Sequence, residues 1–270
     1  MAAETSSDDL DFDRAAPARV YVLLLGGRTA FAADREAYAK VIANAPDAGA
    51  VAKENYKFAG RATAQAVQEF GIGQVVNIGP GIQDSDIKMP SVEQCVRAVA
   101  PDAVVVAFDN DPVVRTHART HSQRVLFGDV TDLDTILSNP ALDDALDLAE
   151  PMVVVLAAVL HFVDDPAAVV AGLARRLAPG SLVVLSHATS TDIPDKDTRV
   201  GGMTKAYDDA TSRIHFRSEE EILGFCAGWK ILEPGLKDVA AWGLPEDEHG
   251  QLGEFVRVVG MVVRLPGRVR

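Results

Sequence analysis

With 270 residues, 48% of them hydrophobic and 24% charged, the chain has a globular composition and room for one large domain. A formal net charge of −13 sets its surface against phosphate backbones and so against a nucleic-acid substrate. The two cysteines, Cys95 and Cys226, lack any C-x-x-C or histidine spacing, which suggests neither a zinc site nor a disulfide framework and suits a reducing compartment. The opening MAAETSSDDLDFD is acidic and polar, unlike a signal peptide, and no apolar run nears the roughly 18 residues that cross a membrane. A soluble, cytoplasmic protein without membrane partners is the expectation.

In chain order, residues 1–17 read as a disordered acidic tail. An apolar run from Arg19 to Leu25 is broken by Gly26-Gly27. A helix is predicted from Phe31 to Asn44, stopped near Pro46. A longer one is predicted from Ala50 to Phe70, where Ala52, Tyr56, Ala59, Thr63, Ala66 and Phe70 recur at helical spacing. Residues 18–72 thus form an N-terminal helical extension ahead of a ligand-binding domain over 73–270.

From Gln74 the pattern alternates. Val75-Val76-Asn77-Ile78 is a short β-branched run closed by Gly79-Pro80-Gly81, which suits a buried parallel strand ending in a tight turn. Ser91 with Gln94 makes a capping box for a helix near 91–99. Strands follow at 103–108 and 124–127, with a helix opening at Pro112 between them and a weaker one at 133–137. Met152 to Leu160 (MVVVLAAVL) is the most apolar run and the predicted central strand. Asp165-Pro166 opens a helix to Leu177, and Ser181 to Ser186 is a fifth strand. Such alternation means βαβ units and a right-handed parallel sheet. Beyond His187 the rhythm changes: a polar loop over 188–202, a short helix at 203–212, a second capping box at Ser218–Glu221, and two last strands at 229–236 and 255–265.

The turn at Gly79 and Gly81 lets a ligand approach the backbone, since no Cβ intervenes. Asp109, which ends the second strand, stands where nucleotide-binding sheets place the acid that takes ribose hydroxyls. It follows Gly79 by 30 residues, so the first crossover carries an insertion, assigned to 82–90. Asp129, after the third strand, is placed to accept from an adenine amino group. A dinucleotide fingerprint fails, because Asp84 occupies the third glycine position and, with Asp86, puts negative charge where a pyrophosphate would sit. S-adenosyl-L-methionine, with no phosphate and a positive sulfonium, fits an acidic, glycine-lined rim better. An S-adenosylmethionine-binding protein without turnover and a nicotinamide-dependent oxidoreductase stay open as alternatives.

In order, NIGPG, FDND, FGDVTD, LAAVLHFVDD and LAPGSLVVLSH resemble the motifs of a class I S-adenosylmethionine-dependent methyltransferase. More narrowly, the chain resembles the actinobacterial S-adenosyl methyltransferase family first catalogued as a domain of unknown function. That family's opening signature is echoed by Arg19-Val20-Tyr21, by Leu24 to Gly27 and by Phe31 to Glu36. Its next helix is echoed by Ala52, Asn55, Phe58 and Arg61, and its E-P-G-L by Glu233 to Leu236. Val22, Arg28 and Asn77 depart from the pattern; at Asn77 the family usually has an acid, and an amide can accept a hydrogen bond without charge assistance. The resemblance implies an α/β, Rossmann-like sheet of seven strands, the last antiparallel. It implies that Gly79 and Gly81 line the methionine portion, that Asn77 meets the amino group, and that Asp109 holds the ribose with Asn110 beside it. Asp129 and Val130 would frame the adenine, and Ala158 to His161 would close the site.

His161 is the candidate general base at the carboxyl edge of the fourth strand. Tyr21 and Gly27 are expected over that same edge as part of a lid, contacting cofactor or acceptor, with Arg61 orienting the acceptor. Expected partners are a small-molecule methyl acceptor and no nucleic acid; a homodimer stays open. Methyl transfer needs little side-chain chemistry, so the acceptor cannot be read from the motifs.

Overall fold

The structure, a computed structural model, describes residues 11–120 and 124–266. Three helices come first: α1 (Pro17–Leu24), α2 (Ala32–Asn44) and α3 (Ala48–Phe70). Then β1 (Gln74–Ile78), α4 (Val92–Val99), β2 (Val104–Asp109), α5 (Pro112–Thr120), β3 (Val125–Phe127), α6 (Leu133–Leu137), α7 (Pro140–Asp143) and β4 (Val153–Ala157) follow. The remainder is α8 (Pro166–Arg176), β5 (Leu182–Thr189), α9 (Lys196–Ala206), α10 (Glu219–Gly224), β6 (Lys230–Ile231), β7 (Lys237–Asp238) and β8 (Arg257–Arg264). The two capping boxes, Ser91 with Gln94 and Ser218 with Glu221, open α4 and α10.

The strands form one sheet in the order β3-β2-β1-β4-β5-β8-β6, with β7 also paired to β8. Strands β1 to β5 are mutually parallel, and β8 runs antiparallel to β5 over eight residue pairs. The order reverses between β1 and β4, which opens a crevice at their carboxyl ends, the usual ligand position in such sheets. Both sheet faces are apolar, as buried parallel strands require. Val75, Val153, Val155 and Val184 point into one core with α3, α2 and α9, while Val76, Val154, Leu156 and Val183 point into the other with α6 and α8.

Four expectations are corrected. Residues 1–10 of the expected tail lie outside the described residues, but 11–17 are placed: Ala15 and Ala16 are buried, and Arg14 donates to the carbonyls of Asp209 and Ala210. The fifth strand does not stop at Ser186. Its pairing with β8 carries it through Thr189, and tertiary hydrogen bonding overrides the polar pattern there. The helix expected at 203–212 lies earlier, as α9. The strand expected over 229–236 is split into β6 and β7 by Glu233-Pro234-Gly235, because proline offers no N–H to a ladder. Among the described residues the sheet therefore has eight strands rather than seven.

The N-terminal extension does not stand apart from the sheet. Helix α3 packs on β4, β5, β8 and α4, and Phe58 lies under Gly260 of β8, edge-on to Trp242 at 5.3 Å. A Cβ on Gly60 would sit 2.6 Å from Cys95 Sγ, so that glycine sets the close approach of α3 and α4.

Candidate functional site

A cavity of about 450 Å³ fills the crevice at the carboxyl ends of β1, β2, β3 and β4. That size suits a small organic ligand. Its floor is Asn77 and the Gly79–Gly81 turn; its sides are Asp109 to Pro112, Asp129 to Thr131 and Ala157 to Val159. Helix α1 closes one side with Pro17 to Arg19 and Tyr21, and α3 adds Asn55, Tyr56 and Ala59.

The turn after β1 requires its glycines. Gly79 has φ +73, and a Cβ there would lie 2.6 Å from Val159 Cγ2; its N–H donates to the Phe108 carbonyl at 2.7 Å. Gly81 has φ +67 and no atom within 4 Å of where a Cβ would be, so its face lies open. The Gly81 N–H donates to Asp109 Oδ2 at 3.2 Å, and the Asp111 N–H donates to Oδ1 at 2.9 Å. Asp109 is buried, and burial, reinforced by the charge of Asp111, pushes its carboxyl up to about 7.

Asp129 Oδ2 accepts from Asn110 Nδ2 at 2.8 Å, and its Oδ1 accepts from the Thr131 N–H and hydroxyl. Those hydrogen bonds outweigh desolvation and hold its carboxyl below the ordinary range. Arg19 is buried beside the cavity. Its Nε lies 3.5 Å from both Asp34 and Asp111, and its terminal nitrogens donate to the carbonyls of Asp11 and Arg14. Among the described residues it is the one arginine or lysine in the cavity wall, and it is already committed.

Tyr21 begins a relay beneath the cavity. Its hydroxyl donates to the Ala52 carbonyl at 3.0 Å and accepts from Asn55 Nδ2 at 2.8 Å. Asn55 Oδ1 accepts from the Ser186 hydroxyl at 2.5 Å, and Ser186 Oγ accepts from the Ala158 N–H at 2.9 Å. Ala158, with φ +57, ends β4 in the left-handed region, and this N–H bond helps to hold it there.

Of the residues singled out from the sequence, Tyr21, Asn77, Gly79, Gly81, Asp109, Asn110, Asp129, Val130 and Ala158 line this one cavity. Three do not. Gly27 packs against Val22 and Asp84 instead, where a Cβ would come within 3.0 Å of both. Arg61 donates to the carbonyls of Val239 and Trp242, tying α3 to the loop after β7, so it is a structural clamp. His161 is buried below the cavity. Its Nδ1 accepts the Ala188 N–H at 3.2 Å, and burial holds the ring well below the ordinary imidazole value. The imidazole is therefore neutral with its proton on Nε2, and no lone pair is free for the base role expected of it.

Asp84 is also absent from the cavity wall. It accepts from the N–H groups of Arg28, Thr29 and Asp86 and from the Thr29 hydroxyl, which fastens the Gly26–Gly27 bend to the turn after β1. These bonds, against the opposing cost of desolvation, depress its carboxyl strongly. The acidity of the site rests instead on Asp11, Asp109, Asp111 and Asp129, all of which line the cavity. Reading the sequence missed Arg19, Tyr56 and Asp111 as wall residues. Asn55 was legible as sharing a helix face with Ala52 and Ala59, whereas Ser186 carried no signal beyond its place at a strand end.

A parallel sheet with this strand order, an acidic glycine-floored crevice at its reversal point and an antiparallel β8 define a class I methyltransferase fold. The model of the S-adenosyl methyltransferase family matches residues 3–266, and the chain belongs to that family. It is a methyltransferase whose methyl donor is S-adenosyl-L-methionine. Among solved structures it is similar to a DUF574 family protein from Streptomyces avermitilis, at 31% identity over 95% of this chain and 99% of that one, with a TM-score of 0.84. It is also similar to a candidate methyltransferase from Thermobifida fusca, at 27% identity over 95% and 97% of the two chains, with a TM-score of 0.84. No curated protein matches it in sequence.

The wall suits this donor. The open face of Gly81 leaves backbone bare, Asp109 offers a carboxylate beside it, and the acidic lining favours a sulfonium. With Arg19 committed to Asp34 and Asp111, the wall has no free cation for a pyrophosphate among the described residues.

Proposed function

We propose that this protein methylates a small-molecule acceptor in the cytoplasm, in a crevice where the chain's own groups bind, orient and keep out water. The single observation that carries the reading is the convergence of Gly79, Gly81, Asp109 and Asp129 with Tyr21 of α1 on one cavity. In this reading Gly79 and Gly81 lie along the methionine portion and the Asn77 amide accepts from the amino group. Asp109 takes the ribose hydroxyls with Asn110 beside it, while Asp129 and Val130 frame the adenine. The bound donor supplies an already activated methyl group, so alignment and exclusion of water are what the residues must add.

In this reading α1, which brings Pro17 to Arg19 and Tyr21 to the cavity, supplies the lid, while Gly27 and Arg61 act outside the cavity wall. A net charge of −13 supports a reading without nucleic acid, and among the described residues no helix is long and apolar enough to cross a membrane.

Calorimetry with S-adenosylmethionine, S-adenosylhomocysteine and NAD tests this reading. Binding of both adenosyl ligands without NAD is expected. Tight NAD binding with no response to either adenosyl ligand would overturn it.

A further inference from the structure

Below the large cavity lies a second, smaller chamber of about 80 Å³. The two share Pro17, Tyr21, Asn55, Ala158 and Phe162 as a common wall, so the chamber adjoins the end of β4. Its remaining lining comes from α1, α2, α3, the segment after β4, β5, the end of α9, the segment before α10 and the start of β8. Side chains such as Leu24, Val51, Met203, Ile214, Phe216 and Val258 make most of it. Among the described residues, no Asp, Glu, Lys or Arg lines it. A chamber of that kind binds apolar matter better than water.

The few polar groups on its wall are mostly spent. The Tyr21 hydroxyl and both ends of the Asn55 amide are used in the relay to Ser186. His161 Nδ1 is used by the Ala188 N–H, which leaves the proton on Nε2. Among the described residues, His161 Nε2–H and the Tyr207 hydroxyl have no protein partner, and both residues line the chamber. Burial pushes the Tyr207 phenol up, so it too stays neutral.

We infer that this chamber receives the methyl acceptor, and that the acceptor is a small, uncharged, largely apolar molecule whose one oxygen meets the His161 Nε2–H or the Tyr207 hydroxyl. The inference rests on the methyltransferase reading for the word acceptor; the chamber's ligand class rests on its wall alone. By volume it holds the liquid share of about two to three waters, which limits what it takes to at most one small ring. A charged acceptor would have to shed its hydration with no counter-charge to meet it.

Phenol is the probe, with benzene and phenyl phosphate as controls, measured by saturation-transfer NMR on the full chain saturated with S-adenosylhomocysteine. Phenol is expected to bind, benzene more weakly, and phenyl phosphate not at all. Ile214→Trp and, independently, Val51→Phe fill the chamber from two different elements. Either one that folds should weaken phenol by about tenfold or more while S-adenosylhomocysteine affinity stays within about twofold. His161→Phe should erase the preference for phenol over benzene. No phenol binding to the parent protein, phenol binding indifferent to both fillers, or phenyl phosphate binding equal to phenol's would overturn the inference. Failure of S-adenosylhomocysteine to bind, with phenol still responding to the fillers, would sink the cofactor reading and leave the chamber's ligand class standing.

Discussion

Asp109 is a carboxylate in a place that resists its charge. Its ordinary value is 3.8; burial, with Asp111 nearby, moves it to about 7. Between those values the folded protein holds a proton that the unfolded chain has released. Stability from this group therefore falls as pH rises through that window, and the deficit is complete above pH 7. Asp109→Asn is expected to be more stable than the parent at pH 8, by on the order of 1–2 kcal/mol, and by less at pH 6. Melting curves at the two pH values check this; an equal margin at both would contradict it. The charged form is also the better acceptor for ribose hydroxyls. S-adenosylhomocysteine binding should weaken as pH drops from 8 to 6, and Asp109→Ala should cost on the order of 1.5–3 kcal/mol of affinity at pH 8. Calorimetry across that range measures both.

At the scale of elements, the site is assembled by tying α1 and α3 to the ends of β4 and β5. Asn55 is the knot, since it joins Tyr21 to Ser186 and, through Ser186, to the Ala158 turn. Asn55→Ala would leave two buried hydroxyls short of a partner. It is expected to lower stability by about 2–4 kcal/mol and to weaken cofactor binding together with it, because Ala158 and Tyr21 both face the cavity. Denaturant unfolding and calorimetry on one preparation test the pairing of effects. Destabilisation with unchanged affinity would show that the relay supports the core without shaping the wall.

These ties also explain what could be read in advance. Glycine and aspartate at strand ends are local signals, so the turn after β1 and the acid ending β2 were legible. The fate of Arg61 was not: whether a half-buried arginine on α3 points into a crevice or clamps the carbonyls of Val239 and Trp242 depends on a loop about 180 residues later. His161 failed as a base for a similar reason, because its acceptor nitrogen is taken by the backbone of the next strand. Gly27 was visible as a bend, but its neighbour Asp84 comes from an insertion that no local pattern connects to it.

Across the whole molecule, the first long helix and the last strand are packed together. Phe58 is fully buried, and a Cβ on Gly260 would fall 2.4 Å from its ring. Gly260→Ala is therefore expected to cost about 1–3 kcal/mol by overpacking. The folded fraction should bind S-adenosylhomocysteine as the parent does, since neither residue lines the cavity. A melting temperature equal to the parent's would contradict the packing.

The position of β8 bears on how the chain is made. Among the described residues it is the last strand in sequence, yet it lies inside the sheet, between β5 and β6, with β7 also on it. While the ribosome is still adding residues, the long apolar strand β5 waits with one side of its backbone unpaired. Phe58, synthesised about 200 residues earlier, waits with it for Gly260. The nascent protein must keep an aggregation-prone edge apart from its neighbours until β8 too has left the exit tunnel.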